Sequence, residues 1–152
     1  QPCYLLHLYM LQIEYPAFPF RLKEETGKEF IFDEIRKKWV RLTPEEWVRQ
    51  NFIQYLLQKK NYPASIIAVE KEISLGDLKK RCDIVVYKSH VPWMIIECKE
   101  QGVVLNDTVL HQALRYNISL QVAILVVTNG SSSYALSIDK DGTKELLSLP
   151  EW

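Results

Sequence analysis

The chain has 152 residues, 47% of them hydrophobic and 25% charged. That is enough sequence for one buried core and too apolar for a disordered chain. Nineteen Lys plus Arg balance nineteen Asp plus Glu, which excludes a protein that coats nucleic acid by net charge alone and leaves room for a local basic face.

The cysteines Cys3, Cys82 and Cys98 are widely spaced and form no C-x-x-C pair. Neither a disulfide framework nor a structural zinc site is expected, and a reducing, cytoplasmic setting is the simplest reading. The longest apolar runs, such as Val122 to Val127, fall far short of the ~20 residues of a membrane span. The apolar start, Gln1 to Ile13, has no basic leader and is not read as a signal peptide. A start at Gln implies that at least a Met has been lost in front.

In chain order, Pro16 and Pro19 make the first twenty residues an arm that packs onto something else, its own domain or a partner. A β-meander follows. Phe18 to Glu24 and Lys28 to Asp33 flank a turn at Glu25-Thr-Gly27, and Lys38 to Leu42 is the third strand. Thr43-Pro-Glu-Glu46 starts a helix: Thr43 caps, Pro44 takes the first helical position and Glu46 closes a capping box. Trp47, Val48, Phe52, Tyr55 and Leu56 recur at helical spacing, and Lys59 to Pro63 ends the helix.

Ile66 to Ile73, Cys82 to Tyr87 and Trp93 to Lys99 read as three strands with short, antiparallel connections. Asn106-Asp107 caps a second helix running to about Leu120. Val122 to Thr128 reads as a strand buried on both faces, and a last hairpin turns at Asp141-Gly142. From residue 43 the order is α-β-β-β-α-β, and the strand after the second helix should lie parallel to a neighbour. The expected fold is a mixed-sheet α/β (α+β) single domain over 1–152, with arm and meander at 1–42, core at 43–128 and terminal hairpin at 129–152.

The anomaly is charge inside apolar strands. Asp83 sits in Cys82-Asp-Ile-Val-Val86, and Glu97 and Lys99 in Trp93-Met-Ile-Ile-Glu-Cys-Lys99. Such charges are costly unless paired or metal-bound. Alternation puts Glu97 and Lys99 on one face, and a hairpin brings Asp83 near Glu97. The plain alternative is a buried salt-bridge network. Two acids and one lysine, however, leave negative charge that a divalent cation would relieve, and carboxylates suit Mg²⁺. A bound water could then become a nucleophile, with Lys99 orienting it or stabilising charge at phosphorus.

Asp83 followed by Glu97-Cys98-Lys99 resembles the P-D-…-(D/E)-x-K nuclease signature, with Cys82 standing where that signature has Pro. Further segments match as well: Thr43-Pro-Glu-Glu-Trp-Val-Arg-Gln50, Arg81-Cys-Asp-Ile-Val-Val86, Ile95-Ile-Glu-Cys-Lys99, Gln112-Ala-Leu-Arg-Tyr-Asn117 and Thr128-Asn-Gly130. Together they resemble the N-terminal nuclease domain of type I restriction enzyme R subunits, from about Phe18 to Ile138.

The resemblance implies a restriction-endonuclease-like core and Mg²⁺-dependent hydrolysis of DNA phosphodiester bonds, with Mn²⁺ as substitute. It implies metal ligation by Asp83, Glu97 and the Cys98 backbone carbonyl, with Lys99 as the catalytic lysine. It maps the family's Q-x-x-x-Y motif onto Gln112 and Tyr116, four apart on one helix face. Its first-helix acid maps onto Glu46, which the capping box explains equally well. Glu70 is either an additional metal or water ligand or an exposed charge on a half-buried strand. Implied partners are DNA and the motor, methylase and specificity components of a restriction system. No phosphate-binding G-x-x-x-x-G-K-[ST] loop is present, so the chain reads as an excised domain or a stand-alone relative. The competing expectation is a catalytically silent nucleic-acid-binding or assembly module.

His7, His90 and His111 lack metal-ligand spacing. Two basic clusters, Lys79-Lys-Arg81 and Arg36-Lys-Lys38 with Arg41, are candidates to meet phosphates.

Overall fold

The computed structural model describes residues 9–152, without the side chains of residues 75, 116 and 117. His7 and Cys3 lie outside the described residues. The meander forms, with a first strand that starts later than the expected Phe18: β1 (Leu22–Glu25), β2 (Lys28–Asp33) and β3 (Lys38–Arg41) make an antiparallel three-stranded sheet. Thr26 and Gly27 both take positive φ in its first turn, the conformation a two-residue hairpin requires.

Helix α1 (Pro44–Gln58) begins at Thr43, whose hydroxyl accepts the Glu46 N–H at 3.0 Å. Only this half of the capping box forms with the expected partner, because the Glu46 side chain goes elsewhere. After a 3₁₀ turn at Ala64–Ile66 come β4 (Ile67–Leu75), β5 (Leu78–Lys88) and β6 (Val91–Cys98). Helix α2 (Asp107–Ile118) is capped by Asn106, whose Oδ1 accepts the Val109 N–H at 3.0 Å. Then follow β7 (Ile124–Thr128), β8 (Ser133–Asp139) and β9 (Gly142–Leu146).

The second sheet has six strands in the order β4-β5-β6-β7-β8-β9. Its pairs are antiparallel except β6–β7, which α2 joins as a parallel crossover. The reason lies in the connections. Ser89 and His90 turn β5 into β6 tightly, both at positive φ, whereas a parallel partner needs a dozen or more residues to return.

The helices cover opposite faces of this sheet. Val48, Phe52, Ile53 and Leu56 of α1 pack with Ile84, Val86, Met94, Ile96, Cys98 and Val126. Behind the sheet, Val85, Ile95 and Leu125 pack with Leu120 and Val122, and Val127 packs with Leu110 and Ala113 of α2. Burial on both sides is why β6 and β7 read as nearly unbroken apolar runs. Each fully buried Ile or Phe here contributes about 1.5–3 kcal/mol.

The arm packs onto its own domain. Leu11 is buried and donates its N–H to the Ser133 carbonyl at 2.7 Å. Tyr15 meets the Tyr55 ring, and Phe20 meets Trp47. Among the described residues no helix is long and apolar enough to cross a membrane.

Candidate functional site

Strict alternation fails where β4 and β5 pair at Glu70 and Asp83, and that place is the candidate site. Cys82 and Ile84 should share a face, yet Cys82 packs with the α2-side core and Ile84 with the α1-side core. Val69 and Ile73 of β4 divide in the same way. The pairing steps from Val69↔Ile84 to Lys71↔Cys82, so Glu70 and Asp83 are left opposite each other outside the ladder. Glu70 sits at φ +54, a left-handed conformation that costs a non-glycine residue on the order of 1–3 kcal/mol. This local twist turns both acids toward α1.

There they meet Arg49. Its Nη2 donates to Asp83 Oδ1 at 2.8 Å and to Glu70 Oε1 at 2.8 Å, and its Nη1 donates to Glu46 Oε1 at 2.8 Å. Glu46 is 5% exposed and also accepts from Arg36 at 2.7 Å. Arg36 in turn holds the fully buried Asp33, which further accepts from Gln50 at 2.9 Å. A continuous chain of ion pairs therefore runs from the meander through α1 to the Asp83 strand. Burial works against the Arg49 charge, but the hydrogen bond to Asp83 and the nearby Glu46 and Glu70 carboxylates raise its pKa. Burial likewise opposes the Asp33 charge, and the Arg36 hydrogen bonds outweigh it and hold the carboxyl below its usual 3.8.

Asp83 has a second tie. Its Oδ2 accepts the Cys98 N–H at 2.8 Å, which brings the carboxylate to the Glu97–Cys98 peptide. Glu97 and Lys99 follow the alternation of β6 and face α2. Lys99 Nζ lies 3.9 Å from Glu97 Oε1, and Lys80 Nζ lies 3.6 Å from the same oxygen. Lys80, Glu97 and Lys99 line a hollow of about 340 Å³ together with Val109, Gln112 and Ala113 of α2. The Lys99 backbone is fixed by its N–H bond to the Thr128 carbonyl at 2.8 Å. The next residue, Asn129, is buried and ties the loop by accepting from Ser131 and Ser132 and donating to Val103.

The structure thus brings Glu97, Lys99 and Gln112 together as the sequence implied. Asp83 joins them through the Cys98 N–H but spends its other oxygen on Arg49. Glu46 lies in the ion-pair chain beyond Arg49. The Tyr116 side chain lies outside the described residues. Glu70 is half-buried and ion-paired to Arg49 and Arg81, not a freely exposed charge. Cys82 and Cys98 do not face each other, because the twist at Asp83 sends them into separate cores. Burial pushes the Cys82 thiol up to about 11 and the fully buried Cys98 thiol well above its usual value, so neither offers a thiolate at neutral pH.

Counting two acids against one base left out Arg49, while the basic cluster at Lys79-Lys-Arg81 does lie beside the site, through Lys80 on Glu97. The signal for Arg49 was present: it stands three residues after Glu46 and four before Ile53, on the inward stripe of α1. Lys80 was visible only as one of three consecutive cations, of which it alone turns onto Glu97.

Among the described residues no group of three His, Cys, Asp or Glu side chains is placed to hold a metal. A Mg²⁺ site needs less, since that ion keeps several waters and takes one or two carboxylates. By chemistry Asp83, Glu97 and the Cys98 carbonyl are hard oxygen donors of the kind such an ion takes, but Asp83 turns toward α1, where both its oxygens already accept hydrogen bonds, while Glu97 faces the hollow beside α2.

The family model for the type I restriction enzyme R protein N terminus matches residues 44–150. No curated protein and no solved structure matches the chain.

Proposed function

Since the chain belongs to the family of the type I restriction enzyme R protein N terminus, we propose that it is a divalent-metal-dependent DNA endonuclease domain with a restriction-endonuclease-like core. The observation that carries the reading is the hollow where Glu97, Lys99 and Gln112 meet beside the Asp83-bonded Cys98 peptide.

In this reading Asp83, Glu97 and the Cys98 carbonyl hold Mg²⁺. The ion, when bound, polarises a phosphoryl oxygen and lowers the pKa of a bound water. Lys99 carries its ammonium into the hollow on a half-exposed stem, fixed at its base by the Thr128 carbonyl. There it stabilises negative charge on the scissile phosphate and orients the attacking water. Gln112 faces the same space and offers an amide to a phosphate or to the Lys99 ammonium. Arg49 holds Asp83 in position through its hydrogen bond while its other hydrogen bonds hold α1 on the sheet. DNA is the substrate class, and the motor, methylase and specificity components of a restriction system are the partners.

A second reading has its own observation. Each site acid already has a basic partner, Asp83 in Arg49 and Glu97 in Lys80 and Lys99. A module whose charges balance without metal could bind nucleic acid or assemble without cutting.

The test is cleavage of linear, circular and single-stranded DNA by the purified chain with Mg²⁺ or Mn²⁺, with Lys99→Ala alongside. Cleavage that disappears in Lys99→Ala supports the nuclease. Equal cleavage by both proteins excludes this mechanism.

A further inference from the structure

The meander precedes the segment that the family model matches, and one of its faces carries an ordered array of cations. The pairing Lys23↔Phe30, Phe32↔Trp39 and Phe30↔Arg41 puts these side chains on one face. Arg21 extends it, since its carbonyl accepts the Phe32 N–H at 3.0 Å. The opposite face of β2 buries Ile31 and Asp33 against the domain, so the array faces outward.

Each cation lies over a ring. The Arg21 guanidinium is 4.4 Å from the Phe32 centroid, Lys23 Nζ is 4.6 Å from the Trp39 centroid, and the Arg41 guanidinium is 5.9 Å from the Phe30 centroid. The rings are half-buried, while Arg21 and Arg41 are exposed. Lys28 adds a fourth cation to this face, and Glu25, paired with Lys23 at 3.5 Å, is its one carboxylate. On a chain of zero net charge this face is a concentrated positive patch.

We propose that this face of the meander binds the phosphate backbone of duplex DNA. Stacking on rings fixes the long cationic side chains, so less rotamer entropy is lost on contact. The same stacking covers the ring faces, which leaves charge rather than an aromatic platform for bases, and therefore favours a duplex over a splayed single strand. Residues two apart on a strand stand about 7 Å apart, so the cations spread over several phosphates. The buried Asp33–Arg36–Glu46–Arg49 chain ties this sheet firmly to α1. The choice of DNA rests on the nuclease reading; the patch itself does not.

The test is binding of a labelled mixed-sequence duplex of about 30 base pairs in EDTA, where no cleavage occurs. The chain with Arg21→Gln, Lys23→Gln and Arg41→Gln should bind at least about tenfold more weakly near ~0.1 M salt. Its slope of log affinity against log salt should fall by about 2.7, at ~0.9 per phosphate contact. Arg21→Gln alone, at an exposed position, should lower the slope by about 0.9 even if the triple variant fails to fold. An unchanged affinity and slope in the folded variants, or tighter binding of a single strand of the same length, would overturn the proposal. Duplex binding through this face by a chain that never cleaves would retain the proposal and remove the nuclease reading.

Discussion

Two charged regions meet at Asp83, and they differ in how tightly they are held. On the α1 side, Glu46 and Arg49 are buried and Glu70 half-buried, all joined by ion pairs near 2.8 Å. On the α2 side, Glu97 and Lys99 are partly open, and Glu97 pairs with Lys80 at 3.6 Å and with Lys99 at 3.9 Å around a hollow. Buried charges with several short partners hold the fold, because removing one leaves the others uncompensated. Longer ion pairs beside open space leave room for a phosphate to approach. The first region is therefore the frame, and the second is where the proposed nuclease would have its reactive end.

The contrast is broken most forcefully at Arg49. Replacing it with Met should cost about 3–5 kcal/mol, read by urea denaturation, because Asp83, Glu46 and Glu70 lose their shared cation. A loss under about 1 kcal/mol would show that the α1 side is not a frame. Lys99→Ala should do the opposite. Cleavage should fall at least about 100-fold, while the urea midpoint changes by no more than about 0.5 kcal/mol.

Asp83 belongs to both regions, so Asp83→Asn should lose metal-dependent cleavage and also about 1–3 kcal/mol of stability as its tie to Arg49 weakens. The pairing with Arg49 means that relief of carboxylate repulsion will not stabilise this variant.

Asp33 sharpens the frame through pH. Its folded pKa lies below the usual 3.8, so it binds protons less readily folded than unfolded. Its contribution is present above about pH 4 and lost as the pH falls through the depressed value. Denaturation midpoints measured from pH 5 down to 2 should fall less steeply in Asp33→Asn than in wild type. The smallest effect is at Thr43, where Ala should cost about 1 kcal/mol by removing the cap of α1.

The elements were legible because their signals are local. The Thr43 and Asn106 caps, the Thr26-Gly27 turn and the apolar run of β7 each declare themselves within a few residues. Glu97, Lys99 and Gln112 followed from alternation along one strand and the resemblance of the chain. The twist at Glu70 and Asp83 did not, because a positive φ at a glutamate is imposed by packing on both faces and leaves no residue signature. For the same reason alternation assigned Asp83 to the Glu97 face and missed Arg49. Which acid pairs with which base is decided by two elements far apart in sequence, and periodicity within one element carries no record of it.

The most direct test of the reactive end is calorimetric titration of Mn²⁺ into wild type and into Glu97→Gln. Wild type should bind the ion, and Glu97→Gln should bind at least about tenfold more weakly with an unchanged urea midpoint. Equal affinity in both proteins, or no uptake by wild type, would contradict a metal site at Glu97.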